Sequence, residues 1–506
     1  MNRIIPIVVF LLFSELSIAQ QKFFTVYENE ERSLQPSAVI ETMEGGFIVA
    51  EYENAYSGRG ELVKLSAGGE LVATATVNLD VPYMNYSTRI DGIYFDPLEL
   101  DTYLAVGFIH DHEGMLSRPF FIRFDGNLNF SSQKVIKLPD EYTYFGNTAW
   151  LQTDDGSFLC ACNFEDEYYQ ARCLYIMITP EGNVEKLNED YHEVLESIGA
   201  LFEFPEGGHY GHYREARIYQ PTPTAVSMIL DIDENLHSAD ISELGQIPVD
   251  TINGIVYVMH LKPMSFATAR LLDDATLLVS DCVKEVEMYP NGVTHENVSA
   301  LVFKTDLAGN VREYHVIGSW NGAIDLPASR QSIDIIGGSF HQMIYSCIEA
   351  KETEYGFSTV NVTKMSENLE VIWQRSITHD NFSLAPVTVV ATRDGGCMIV
   401  GKAARNNHNH LFAIKLDADG TLGTEEAVLE KRIMFHPNPV QDRLHLQYSP
   451  DVKPMQVELY DLQGRLVRTQ SKDLESVSLQ GLSAGTYTMR VMLEDGKVFT
   501  DKVVKE

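Results

Sequence analysis

Two histidine pairs have the residue type and the close spacing that metal or acid-base chemistry needs. His209 and His212 stand in Gly208-His209-Tyr210-Gly211-His212. On a strand, residues three apart point to opposite faces, and the glycines disfavour a helix, so this pair does not converge on one ion. Packing or a turn is its expected role. His408 and His410, in Asn406-Asn407-His408-Asn409-His410, are two apart and can share a strand face. The surrounding pattern puts them in a loop between two strands, where a solvated polar loop is the plainer account. Loops of the same kind carry Tyr52 and Tyr56, His110 and His112, Tyr168 and Tyr169, Tyr289, and Tyr355, with Glu165 and Glu285 nearby. Tyrosine faces that stack on sugars, and carboxylates that attract cationic peptides, make these a candidate ligand face. Exposed loops ordinarily contain such residues too.

Signatures of catalysis are absent. No G-x-S-x-G elbow, H-E-x-x-H helix, phosphate-binding glycine loop or EF-hand ligand order occurs. Glycoside hydrolysis needs two carboxyl groups about 5–10 Å apart, and with 72 acidic residues the sequence cannot single out a pair. The six cysteines (Cys160, Cys162, Cys173, Cys282, Cys347 and Cys397) have no zinc-site spacing, and most stand in apolar runs where a thiol acts as a small hydrophobe. Cys162 and Cys173 flank a short loop and could face one another across a hairpin. No cofactor and no metal is expected.

The elements that must hold these loops come from a repeat. Glu44-Gly45-Gly46-Phe47-Ile48-Val49-Ala50 is a turn feeding a strand; Leu62-Val63-Lys64-Leu65 and the turn Ala67-Gly68-Gly69 follow. The same grammar returns at Asp154 to Asn183, at Asp273 to Asn310 and, most cleanly, at Asp394-Gly395-Gly396 followed by Ile414-Lys415-Leu416-Asp417 and Asp419-Gly420. Weaker copies run from Tyr103 to Asn127, from Glu206 to Leu230 and from Met343 to Leu369. About seven copies recur at roughly 50–65 residues, each with short apolar strands split by Asp/Gly turns. One such meander cannot bury both its faces, and packing several around an axis solves that, giving a β-propeller. An array of β-sandwiches is the alternative, but it would not need one turn grammar at a near-constant period. Leu187 to Gly199 is the one stretch where a short helix is expected. The pattern resembles secreted bacterial propeller repeats of the form "DGGyivaG … liKlD.dG", a resemblance that covers residues 20–428 and speaks to fold, not activity. Because the last copy lacks a good outer strand, Phe23-Phe24-Thr25-Val26-Tyr27 is expected to complete its sheet and close the ring.

After residues 429–434, a linker, the grammar changes. Pro437-Asn438-Pro439 is followed by Asp442, then by Leu459-Tyr460-Asp461-Leu462-Gln463-Gly464-Arg465, then by Gly485 and Tyr487 in Gly485-Thr486-Tyr487. Period-2 alternation broken at Gln463-Gly464 and Asp495-Gly496 indicates hairpins and a small Ig-like β-sandwich over 435–506. An ordinary fibronectin-like binding module would have the same pattern. These motifs, in order, resemble the type A sorting domain of the Type IX secretion system of Bacteroidetes. That resemblance implies Sec-dependent entry to the periplasm, passage across the outer membrane with the Type IX machinery as partner, and attachment to the cell surface, usually with removal of the domain.

The N-terminus fits such a route. Arg3, the apolar run Ile4 to Phe13 and the small-x-small site Ser17-Ile18-Ala19 read as a signal peptide over 1–19. No Cys follows the site, which argues against a lipoprotein anchor, and no second apolar stretch reaches the length of a transmembrane segment. The charge of −34 lies almost wholly upstream of Phe435, since the rest of the chain holds 10 acidic and 9 basic residues. Such a surface repels nucleic acid, and suits solubility outside the cell or capture of a cationic partner. The expected function is therefore a surface-displayed propeller that binds a glycan or a protein; alternatively it is a hydrolase or lyase with its site at the channel mouth.

Overall fold

Each copy of the repeat folds as the second and third strands of an antiparallel sheet. The structure, a computed structural model, describes residues 22–29, 32–53, 58–82, 85–113, 116–139, 142, 145–165, 171–190, 195–204, 210–219, 223–243, 250–252, 255–261, 268–272, 276–288, 294–317, 324–336, 343–351, 358–406, 408–422, 433–436, 440, 443–448, 453–460, 465–472, 474, 476–493 and 498–505. Residues 1–19, read as a signal peptide, fall outside them. The chain divides into two compact units, one ending at Thr421 and the other beginning at Leu422. Among the described residues every regular element is a strand, so the all-β expectation holds. The helix expected over Leu187 to Gly199 is replaced by parts of two strands, Val184–Asp190 and Leu195–Glu203.

In the first unit the first strands of successive sheets lie side by side. Leu34–Glu41 neighbours Tyr86–Phe95, and Phe145–Gln152, Leu195–Glu203, Thr268–Leu271, Ile333–Ile336 and Ser383–Ala391 follow in turn. The last of these again neighbours Leu34–Glu41, so the order is cyclic and propeller-like. Alternation along each strand serves both neighbours. In the first sheet Ile48, Ala50 and Leu62 pack with Tyr103, Phe120 and Ile122 of the second sheet, while Phe47, Val49, Val63 and Leu65 pack with Met398, Val400, Leu411 and Ala413 of the last. Burial on both faces is why these strands read as continuous apolar runs.

Turn chemistry accounts for the repeat's spelling. Asp417 Oδ1 accepts the amides of Asp419 and Thr421, and Asp125, Asp233 and Asp306 each accept the amides two and four residues on. A carboxylate thus replaces missing ladder partners at the hairpin tip. Gly420 takes φ +71, a left-handed conformation that favours glycine. The lysine of the same motif is fully buried: Lys415 Nζ meets Asp394 Oδ2 of the Asp-Gly-Gly turn at 2.8 Å and donates to the Leu416 carbonyl at 2.8 Å.

The expected ring closure is present. Phe23–Tyr27 pairs antiparallel with His408–Leu416, with Phe23 opposite Lys415 and Tyr27 opposite Leu411. Two sheets depart from the simple pattern. The long hairpin Leu277–Met288 and Thr294–Thr305 extends past its own sheet, and its far half pairs with Ile255–Leu261 and, through Ile324–Pro327, reaches the strand Met343–Lys351. The cysteines Cys160, Cys162, Cys173, Cys282 and Cys397 are buried free thiols. Cys162 and Cys173 do not form the suggested bridge, because the register sets Cys162 opposite Leu174 and Cys173 opposite Asn163.

At the seam between the first and last sheets lies an acidic pair. Glu51 is directly opposite Glu61 on the neighbouring strand, and Glu61 Oε2 accepts from Arg32 at 2.8 Å. Glu51 is 3 % exposed. Burial, aided by the Glu61 charge and opposed by Arg32, pushes it up to about 8. A carboxyl whose folded value lies above its unfolded value stabilises fully below the unfolded value, near pH 4.5, and loses that contribution as pH rises through about 8. Glu51→Gln is therefore expected to match the parent at pH 4 and to exceed it in urea unfolding at pH 8.5 by on the order of 1–3 kcal/mol. Equal pH profiles for the two proteins would remove the effect.

In the second unit, Ile433–His436, Arg443–Tyr448 and Ser476–Ser478 form one sheet. Leu466–Gln470, Pro454–Tyr460, Gly485–Leu493 and Val498–Lys505 form another. Both contribute to a core that includes Leu444, Leu446, Leu459, Met489, Val491 and Val503. The first of these strands starts at Ile433, inside the stretch read as a linker.

Candidate functional site

Because the first strands of the sheets ring one axis, side chains far apart in sequence meet there. Arg89 and Asp91, on Tyr86–Phe95, are two apart and form an ion pair, Nε to Oδ1 at 2.8 Å. From the next sheet Thr148 donates to Asp91 Oδ2 at 2.8 Å. From the segment that leads into Ile333–Ile336, a strand of a sheet that is not adjacent, Arg330 Nη1 reaches Asp91 Oδ1 at 3.1 Å. Arg330 is positioned by its backbone amide on the Val387 carbonyl, and Gln331 by its side chain on the Val389 carbonyl. Burial alone would raise Asp91, but the Arg89 and Arg330 guanidiniums and the hydrogen bonds from Arg89 and Thr148 hold it below the usual carboxylate range. It is an ionised hub that ties three sheets together.

Above this hub lies an axial cavity of about 420 Å³, with Asp91, Thr148, Gln152, Arg270, Arg330 and Gln331 among its polar lining residues. That volume falls within the range of small-ligand sites. Arg270, on Thr268–Leu271, makes no hydrogen bond or ion pair with the described residues. Its charge acts on Asp334, whose carboxyl is raised by burial and is lowered in part by Arg270; Asp334 accepts the Ala391 amide at 2.7 Å.

The loop residues singled out by sequence are placed differently. Those that are described, Tyr52, His110, His112, His408 and His410, stand where a second strand passes to a third, so the alternating strand directions put them at one common end of the sheets. Tyr52 donates to Gln35 at 3.4 Å. His110 Nδ1 lies 2.7 Å from Ser117 Oγ, and His112 Nε2 lies 3.0 Å from Ser87 Oγ. Burial, reinforced by Arg89, pushes His110 down to about 4, so its ring is neutral at physiological pH. His408 and His410 begin the strand His408–Leu416, where the sequence pattern predicted a loop. His410 Nδ1 accepts the Asn29 amide at 3.0 Å, and His408 Nε2 donates to the Asn29 and Arg32 carbonyls at 2.8 and 3.0 Å. Their rings grip the segment that follows the closing strand. Tyr56, Tyr168, Tyr169, Tyr289, Tyr355 and His209 lie outside the described residues. His212 is buried and shares a 2.8 Å hydrogen bond with Tyr175, the packing role expected of it.

Of the C-terminal motif residues, Leu459 is fully buried, and Tyr460 donates to Glu458 at 2.7 Å. Tyr487 is buried and donates to the Ser483 carbonyl at 2.7 Å; Gly485 begins its strand and Arg465 is exposed. Pro437, Asn438, Pro439, Asp442, Asp461 and Gly464 lie outside the described residues.

Sequence reasoning missed Arg89, Asp91, Arg270 and Arg330. The available signal was a charged residue inside a first-strand segment, as in Thr88-Arg89-Ile90-Asp91 and Thr268-Ala269-Arg270, where an axis-lining strand needs no apolar side chain.

Residues 434–506 match the family described as secretion system C-terminal sorting domain. No curated protein matches the chain. Among solved structures, a protein of unknown function from Dyadobacter fermentans is similar at 10 % identity and TM-score 0.39, covering 78 % of this chain and 97 % of that one. The β-propeller domain of the Trilobed protease from Pyrococcus furiosus is similar at 8 % identity and TM-score 0.40, covering 76 % and 96 %. An α-L-arabinofuranosidase from Fusarium graminearum, in complex with an iminosugar inhibitor, is similar at 9 % identity and TM-score 0.38, covering 78 % and 96 %.

Proposed function

We propose that this is an exported binding protein whose first unit, a seven-bladed propeller within residues 20–428, holds a glycan or a protein segment in its axial cavity. The C-terminal match makes it a client of the secretion machinery that carries it across the outer membrane. Removal of a signal peptide at 1–19, residence on the cell surface and origin in a Bacteroidetes bacterium extend that reading. The observation that supports the binding role is the cavity itself, lined from several sheets by groups able to hydrogen-bond a ligand. The candidate loops Tyr52, Tyr56, His110, His112, Tyr168, Tyr169, Tyr289, Tyr355, His408 and His410 stand in this reading as the rim.

Binding is favoured over hydrolysis by one detail. Among the described lining residues the one carboxylate is Asp91, and it is bridged by two arginines. A general acid-base pair needs a second carboxyl with a different protonation state. The test is a glycan and protein array probed with the mature chain, alongside Gln152→Trp, which places a bulky ring at the cavity wall. Saturable binding is expected, weakened at least about tenfold by the substitution. An array without binders, or turnover of a polysaccharide or peptide pool, would overturn the proposal.

A further inference from the structure

The axial cavity carries a charge opposite to that of the chain around it. The chain has a formal charge of −34, yet three guanidiniums stand at its axis. Arg89 and Arg330 share Asp91, so that group of three is positive by one unit. Arg270 adds another, offset only in part by Asp334, whose carboxyl burial raises; the five N–H donors of Arg270 make no hydrogen bond or ion pair with the described residues. A guanidinium half-buried at a cavity wall keeps a strong preference for a planar oxyanion that accepts two parallel hydrogen bonds. The acidic exterior does not cancel this, since charges farther than a Debye length of about 8 Å are screened.

We infer that the cavity binds a carboxylate-bearing sugar, a uronate, with its carboxylate on Arg270 and its hydroxyls on the surrounding side chains. This rests on the axial cavity being the ligand site. The carboxylate follows from the guanidinium fork of Arg270, which no described residue engages. The sugar follows from the rest of the lining: Ser37, Thr148, Gln152, Gln331 and Thr388 already donate within the protein, to Ala50, Asp91, Phe95, Val389 and Ser37, which leaves their oxygen lone pairs as acceptors for a ligand's hydroxyls. Hydroxyl-rich rings satisfy such groups, whereas a peptide side chain offers them few partners. Inorganic anions would meet the charge but bring few hydrogen-bond donors for those oxygens.

Calorimetric titration of the full mature chain tests this, with short oligogalacturonates and oligoglucuronates as probes. Their methyl esters, neutral oligosaccharides of the same linkage, and peptides with free C-terminal carboxylates serve as comparisons. A uronate is expected to bind about 10- to 100-fold more tightly than its methyl ester, the range that a charged hydrogen-bonded pair contributes. Arg270→Gln is expected to erase that preference, Arg270→Lys to restore part of it, and Gln152→Trp to weaken every cavity ligand. An ester that binds as well as its acid, a preference for the peptides, or no uronate binding at about 1 mM overturns the uronate assignment. A ligand that is weakened by Gln152→Trp but indifferent to Arg270→Gln overturns only that assignment. A ligand indifferent to both overturns the cavity reading beneath it. Unchanged thermal unfolding of the variants excludes misfolding as the cause.

Discussion

Deleting residues 435–506 is expected to leave a folded propeller in the periplasm and none outside the outer membrane. Two observations make the effect all-or-none rather than graded. The first is that this segment alone matches a secretion sorting domain, so removing it removes the address. The second is that its core is self-contained: every buried residue of that cluster lies between Val440 and Val503, and the clusters of the first unit lie between Phe23 and Ala413. The truncated chain therefore keeps its own packing, and loss of export is not a secondary result of unfolding. A finer variant reaches the same end. Leu459→Asp buries a carboxylate in the middle of the smaller core, which no partner there can satisfy, and is expected to unfold that unit alone. Cell fractionation with protease shaving of intact cells reads both. Normal amounts of truncated protein outside the cell would refute the assignment.

Much of the architecture was legible because its signals are local. A DGG turn followed by an apolar run is specified within ten residues, and Asp417 shows why: its carboxylate organises the amides two and four residues ahead without help from elsewhere. The closing strand was also legible, since the last repeat lacked an outer strand and Phe23 to Tyr27 had none of its own partners nearby. The helix expected from Leu187 to Gly199 failed because tertiary pairing overrides a short periodic pattern. Leu195–Glu203 takes the first-strand position against Tyr210–Tyr219, with irregular register at Leu195/Ser197 and Ile198/Ala200. The additions Asp250–Ile252, Ile255–Leu261 and Ile324–Pro327 were missed because they follow no repeat. The axial site was illegible for a different reason. Arg330 and Asp91 are 239 residues apart, and only closure of the ring makes them neighbours.

That dependence on closure leads to the second large effect: a chain lacking residues 20–29 is expected to lose its cooperative native state. The missing strand would expose the edge Leu411–Lys415 to which it pairs over five residues. It would also open the core shared by the last and first sheets, where Phe23 packs with Phe47, Val49, Val63 and Leu65. Its contacts reach both sides of that seam. Phe23 meets the Phe47 ring edge-on at 6.4 Å, and its ring lies so close to Gly69 that a Cβ there would come within 2.4 Å. Tyr27 donates to the Gly69 carbonyl at 2.6 Å; Glu28 pairs with Arg405 and Lys22 with Asp417, both at 2.6 Å. A strand that bonds one sheet and packs on the next acts as a clasp, and its removal leaves an unpaired apolar edge open to aggregation. Phe23→Ala isolates the packing contribution, with an expected loss of about 3–5 kcal/mol, as for other buried aromatic deletions. Contacts spanning nearly the whole first unit are costly to form early in folding, so most of this loss is expected as faster unfolding rather than slower folding. Urea unfolding followed by tryptophan fluorescence measures the equilibrium effect, and stopped-flow mixing apportions it between the two rates. A deletion variant with an unchanged urea midpoint would show that the ring stays closed without its clasp. The arginines at the axis would then owe their meeting to the sheet-to-sheet packing alone.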